Sequence, residues 1–304
     1  MTNRHDHEPV PVNGILLLDK PYGLSSNQAL TRVKRLLRSK KGGHTGALDP
    51  IATGLLPLCF GMTTRIAGIF LNFDKTYEVT IRLGETTKTG DTEGEIVSRS
   101  PVNANIASIE QALDRFRGKI QQVPPMYSAI KKNGTPLYKL ARKGQVVERE
   151  SREVVIYKLE VHNFNENNLS LTVECSKGVY IRSLAMDLGE SLGCGGHVRE
   201  LRRVKVGHYS INDAIALREL EDMPSDEQRY SHLLQTDEAL DHLMKFKIPR
   251  ENVLSFCQGQ SVPLTTSDWE GLGLVYSNDG TFLGLGECDE VGNIHPKKVF
   301  SQGM

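Results

Sequence analysis

Residues 76–84, TYEVTIRLG, constrain the fold most, because Tyr77, Val79, Ile81 and Leu83 alternate with Glu78, Thr80 and Arg82. Successive side chains of an extended strand point to opposite faces, so this period of two predicts a strand buried on one face. The same alternation recurs at Val155, Tyr157, Leu159 and Val161 and at Leu169, Leu171, Val173 and Cys175, with the polar run NENN between them. That arrangement predicts an antiparallel hairpin. GILLLDKPYG reads as a short buried strand, Ile15 to Leu18, ending in a turn at Pro21 and Gly23.

Helical spacing interrupts these strands. Ser25 and Gln28 form a capping-box pattern ahead of Leu30, Val33 and Leu37, and Ile106, Ile109, Leu113 and Phe116 repeat the period. A proline-marked loop, 123–136, leads to a short basic helix around Leu137 to Lys143. A helix starting after Gly178 aligns Ile181, Leu184, Ala185, Leu188 and Leu192, with Tyr180 and Arg182 near its first turn. Strands and helices in mixed order predict an α+β fold with a mixed, largely antiparallel sheet. At 304 residues the chain exceeds a usual single domain. The expected organisation is a disordered terminus over 1–11, a main domain over 12–245 ending in an acidic helix-and-linker stretch, and a small β-rich module over 246–304.

A hydrophobic content of 38% with 24% charged residues is that of an ordinary soluble protein, and no apolar run approaches the ~20 residues of a membrane span. The first eleven residues lack the apolar stretch of a secretory signal, and the five cysteines form no C-x-x-C pair. The expectation is a cytoplasmic protein with reduced thiols and no membrane partner. The net charge of zero conceals segregation: residues 28–42 carry six basic and no acidic side chains, while 219–241 carry eight acidic and one basic. A basic face attracts phosphate even on a neutral protein, although a solvated helix face has the same composition.

The chain has no G-x-x-x-x-G-K-[ST], H-E-x-x-H or G-x-S-x-G motif. His5 and His7 supply too few ligands for a tetrahedral zinc shell, so no metal is expected. The stretch GGHTGALDP at 42–50 is the one that invites chemistry. Pro50 biases Asp49 toward an extended backbone, and Gly42, Gly43 and Gly46 let the loop approach a ligand closely. Asp49 is either a presented carboxylate or a turn cap. A hydrolase using it as nucleophile requires a second carboxylate or a base, and the sequence places none visibly near it.

Four ordered blocks, LDKPYGLSSN at 18–27, GHTGALDPIATGLLPLCFG at 43–61, KTYEV at 75–79 and CSKGVYIRSLAMDLG at 175–189, resemble the TruB family of tRNA pseudouridine synthases. The resemblance runs from residue 12 to 304 and implies isomerisation of the uridine at position 55 in the TΨC arm of tRNA, with a PUA-like RNA-binding tail. It makes Asp49 the catalytic aspartate and Arg182 its partner, a guanidinium that keeps a carboxylate ionised and oriented. Tyr77 is assigned to stack on the flipped base, although periodicity alone reads it as core packing. Tyr180 and Leu201 are assigned to the pocket wall, His44 to the space left by flipped nucleotides, and Lys20 with Pro21 to bracing the catalytic loop. Arg32, Arg35, Lys40, Lys41, Lys131, Lys132, Arg142, Arg202 and Arg203 are the candidate phosphate contacts. The reaction breaks N1–C1′ and rejoins the base through C5 without net redox change or hydrolysis, so no cofactor is expected, and the chain is expected to act as a monomer. The competing reading is an RNA-binding protein without chemistry, to which an ionised carboxylate facing a polyanion is a liability.

Overall fold

The computed structural model describes residues 12–264 and 270–300. The segment expected to be disordered, with His5 and His7, lies outside them, as do positions 265–269 and 301–304.

The alternating stretch forms strand Lys75–Leu83, with Tyr77, Val79, Ile81 and Leu83 buried. It lies inside a ten-stranded sheet, antiparallel to Gly196–Val206 on one side and to Asn168–Cys175 on the other. Beyond Gly196–Val206 the sheet continues through Ala52–Phe60 and Gly14–Lys20 to Ile215–Ala216; beyond Asn168–Cys175 it continues through Arg152–Asn165 to Gly118–Gln122. Ala52–Phe60 runs parallel to Gly196–Val206, and Gly14–Lys20 runs parallel to Ile215–Ala216. The other ladders of the sheet are antiparallel, which gives the mixed α+β architecture expected from the order of segments.

Helices cover one face. Ser26–Leu36 starts at the expected box: Gln28 N donates to Ser25 Oγ at 3.3 Å and Ser25 N donates to Gln28 Oε1 at 2.8 Å. Val33 from this helix, Ile109 from Ile106–Leu113 and Leu184 from Ile181–Ser191 join Tyr77, Val79 and Ile81 in one buried cluster. Burying each aliphatic side chain of this kind contributes roughly 1.5–3 kcal/mol. Ile15, Leu17, Leu55 and Cys59 belong to a second cluster, which also takes in Leu274 and Leu285 of a five-stranded sheet. That smaller sheet consists of Met244–Ile248, Val262–Pro263, Gly271–Ser277, Phe282–Cys288 and Asn293–Val299. A helix absent from the sequence reading, Arg250–Cys257, buries Phe256 against it.

Two expectations are corrected. The hairpin Arg152–Asn165/Asn168–Cys175 turns at Glu166 and Asn167, both at positive φ (48° and 62°), but its first strand shifts register between Ile156 and Lys158. The extra residue moves the buried set to Val154, Ile156 and Leu159 and leaves Tyr157 exposed. The segregated charges are also partly matched within the fold. The basic helix meets the acidic stretch through Arg32–Glu221 at 3.8 Å and Arg38–Asp226 at 3.2 Å. Such half-exposed pairs add little stability, yet they lower the net positive charge of the helix.

Candidate active site

Asp49 lies on the loop joining strand Gly42–His44 to Ala52–Phe60. The loop is fastened at both ends. Leu48 N donates to Ser26 Oγ at 2.7 Å and Ser26 Oγ donates to Leu48 O at 3.1 Å, so the first residue of the capping-box helix fixes the residue before Asp49. Thr45 donates to Pro57 O through its backbone N at 3.1 Å and Oγ1 at 3.2 Å. Gly46 takes φ 109°, a left-handed conformation that disfavours side chains. Its carbonyl accepts from Arg203 Nη2 at 3.2 Å. Lys20, fully buried, donates from Nζ to Pro21 O at 2.9 Å and Leu24 O at 2.6 Å, and Gly23 N donates to Pro50 O at 2.8 Å.

Arg182, in the first turn of its helix, meets the Asp49 carboxylate through both oxygens: Nε to Oδ2 at 2.9 Å and Nη2 to Oδ1 at 3.2 Å. The same guanidinium donates from Nη1 to Thr89 O at 3.0 Å and from Nη2 to Tyr127 O at 2.6 Å. Its side chain is 6% exposed and that of Asp49 is 38% exposed, so the arginine is built into the wall while the carboxylate faces outward. Behind it lies Asp91, whose Oδ2 is 3.5 Å from Nη1 and whose side chain is 3% exposed. Asp91 Oδ1 accepts from Thr89 Oγ1 and from Glu93 N, which orients the buried carboxylate toward the arginine. Sequence reasoning missed Asp91, because nothing in the spacing of residues 87–95 ties them to Arg182. Its oxygens are spent on internal donors, so it braces the arginine and is poorly placed to activate water.

Burial pushes the Asp49 carboxyl above its ordinary range, opposed by the Arg182 and Lys20 charges and reinforced by Asp91. Burial likewise draws Lys20 down to about 8, against the attraction of Asp49. Tyr77 and Tyr180 both feel the Asp49 charge, and burial raises both phenols. Tyr77 sits across the ladder from Arg203, which pulls its phenol back down. Tyr180 is held by Gln122: Tyr180 N donates to Oε1 at 2.8 Å, and Nε2 donates to Tyr180 O at 3.1 Å. Leu201, 8% exposed, pairs with Ala52 on one side and Val79 on the other, at the strand following Asp49. His44 carries a buried Nδ1 with no partner among the described residues, and burial with the nearby Arg203 lowers its basicity.

The candidate phosphate contacts divide. Arg32, Arg35, Lys40, Lys41, Lys131, Lys132 and Arg142 are exposed, with Arg142 lying over the Tyr138 ring at 5.5 Å. Arg203 is a correction: it is 1% exposed, and its Nε donates to Leu55 O at 2.8 Å while its Nη2 reaches Gly46 O, so it ties the Asp49 loop to the sheet instead of facing solvent. Its neighbour Arg202 points to the opposite face and binds Asp19 through Nη1 at 3.1 Å and Nη2 at 2.6 Å, so a carboxylate already matches its charge. Adjacent residues of a strand alternate in facing, and the paired arginines in the sequence concealed that difference.

Comparison with known proteins places the chain in a family. The family model described as TruB family pseudouridylate synthase (N terminal domain) matches residues 34–181. The tRNA pseudouridylate synthase B C-terminal domain matches 182–245, and the C-terminal domain of pseudouridine synthase II TruB matches 245–300. The tRNA pseudouridine synthase B of Ectopseudomonas mendocina (strain ymp) is 46% identical over 295 residues, 96% of each chain. That of Pseudomonas aeruginosa (strain UCBPP-PA14) is 46% identical over 291 residues, 95% of this chain and 96% of the relative. A crystal structure of a Cbf5-Nop10-Gar1 complex contains a chain with the same fold, with a TM-score of 0.70 at 24% identity over 95% of this chain and 85% of that one.

Proposed function

The chain belongs to the TruB family of pseudouridine synthases and forms pseudouridine in tRNA, and from that premise we propose that it acts on uridine 55 of the TΨC arm through Asp49. The observation that carries the assignment is the carboxylate of Asp49, gripped through both oxygens by a buried arginine while remaining 38% exposed. A carboxylate so oriented is supplied to a ligand, because a turn cap would spend its oxygens on backbone N–H groups.

In this reading the target uridine leaves its stack and enters the space before Asp49, with Tyr77 beneath it and Tyr180 and Leu201 along the wall. Flipping a base costs a few kcal/mol, which contacts in the pocket offset. The N1–C1′ bond breaks, the uracil turns, C5 bonds to C1′, and the proton lost from C5 is balanced by one gained at N1. Asp49 is the essential carboxylate, and Arg182 and Lys20 supply positive charge that favours its ionised form as the base departs. A packed wall excludes water, so the detached base is recaptured.

The test is a TΨC stem-loop incubated with wild type and with Asp49→Asn, scoring pseudouridine by nucleoside mass spectrometry and RNA binding in parallel. Conversion by wild type alone, with binding by both, supports the reading. Binding by both proteins with conversion by neither, where a known synthase succeeds, refutes it in favour of a non-catalytic RNA-binding role.

A further inference from the structure

Away from the catalytic loop, His208, Asp241 and His242 stand together on the surface, and their donor atoms lie within 4.8 Å of one another. We infer that these three residues form a binding site for a borderline divalent transition ion of the zinc(II) class. Two imidazole nitrogens and a carboxylate oxygen suit such ions, whereas magnesium and calcium take oxygen ligands. Three protein donors leave the fourth tetrahedral position to water or to an oxygen of a bound anion. Bonds of roughly 2.0–2.2 Å set donors about 3.3–3.6 Å apart around a tetrahedral ion. Small rotations of the rings and carboxyl close the remaining gap.

The surroundings hold the donors ready. His208 follows Gly207 at the turn between Gly196–Val206 and Tyr209–Ser210, and Gly207 N donates to Asp74 O at 2.9 Å. The Tyr209 hydroxyl donates to Ala239 O at 2.6 Å, which ties this turn to the segment bearing Asp241 and His242. Phe73 meets both imidazoles edge on, with ring centroids 5.9 Å and 5.4 Å away, and the imidazole centroids are 4.7 Å apart. The ion joins a turn of the large sheet to the connection that leads into Met244–Ile248, the first strand of the small one. Tyr209, Ala239 and Leu240 belong to the apolar cluster that both sheets share, and Phe73 packs against it, so the ion acts as a surface clip over that junction.

The experiment uses the full chain carrying His5→Ala and His7→Ala, so that those imidazoles contribute nothing, after treatment with chelator. Zinc sulfate is titrated by calorimetry, and cobalt chloride is followed through its visible ligand-field bands. One saturable equivalent is expected, with the intense cobalt absorption of a four-coordinate site. His208→Ala and His242→Ala should each weaken binding by at least about tenfold, the lower end of what disturbing a ligand's surroundings costs. Unchanged affinity in both variants, or no saturable binding by the parent, overturns the inference. The substituted residues are exposed, and metal-free thermal unfolding reports whether the variants keep their fold. If the alanine variants unfold, Asp241→Asn carries the same test, with the same weakening expected and unchanged affinity overturning the inference.

Discussion

Replacing Arg182 by lysine keeps the charge beside Asp49 and removes the fork. The guanidinium makes two bonds to Asp49, at 2.9 and 3.2 Å, one to Thr89 O at 3.0 Å and one to Tyr127 O at 2.6 Å, and it approaches Asp91 at 3.5 Å. An ammonium has three donors on one nitrogen and cannot span partners that arginine reaches from three. At least two of these bonds are lost, and each hydrogen bond to a charged group is worth about 1.5–3 kcal/mol. If about 3 kcal/mol of that total is felt at the transition state, turnover falls by roughly two orders of magnitude. Single-turnover pseudouridine formation on a tRNA substrate, with tRNA affinity measured in parallel, separates the effects: the single-turnover rate drops while binding holds. The Asp49 carboxyl, already raised by burial, loses a hydrogen bond that favours its ionised form, so the acid limb of the rate profile moves to higher pH. A turnover within about fivefold of wild type, with an unmoved acid limb, would refute the claim that the fork orients Asp49.

The other predictions concern stability and RNA affinity. Arg203→Met should leave Leu55 O and Gly46 O without their donor, destabilising the protein by about 2–6 kcal/mol in urea denaturation; a loss below about 0.5 kcal/mol would argue against its bracing role. Lys20 titrates near 8 in the folded protein against 10.5 for its ordinary value, so between those pH values the unfolded chain binds more protons and stability rises with pH. That contribution is on the order of 3 kcal/mol across the window. Comparing wild type with Lys20→Met isolates it, because Lys75, also drawn down to about 8, contributes equally to both proteins. Removing the exposed Lys40, Lys41, Lys131 and Lys132 together should weaken tRNA binding and flatten its dependence on salt by about 0.7–0.9 in log–log slope per lost phosphate contact; an unchanged slope would remove them from the RNA interface.

What could be read in advance follows the range of the forces involved. The capping box at Ser25 and Gln28, the alternation that buries Tyr77 through Leu83, and the start of a helix just after Tyr180 depend on neighbours within a few residues, so their signals are contiguous. The resemblance to the TruB family already paired Asp49 with Arg182, and the fold brings the two together across 133 positions.

Only the tertiary structure decided the rest, because it turns on which face of an element meets which partner. The adjacent Arg202 and Arg203 look alike in sequence, yet strand alternation sends one to Asp19 and buries the other under the Asp49 loop. Two register shifts, between Ile156 and Lys158 and between Val161 and Asn163, change which residues of Arg152–Asn165 face inward, a displacement that apolar alternation cannot signal. Asp91 joins Arg182 through a loop with no periodicity at all, and His208 meets Asp241 and His242 where the Tyr209 hydroxyl reaches Ala239 O of a distant segment. The sequence by itself determined the local elements and pointed to the carboxylate. The packing of those elements decided which charges are sheltered, paired or free, since burial and Coulomb interactions depend on distance in space and are blind to distance along the chain.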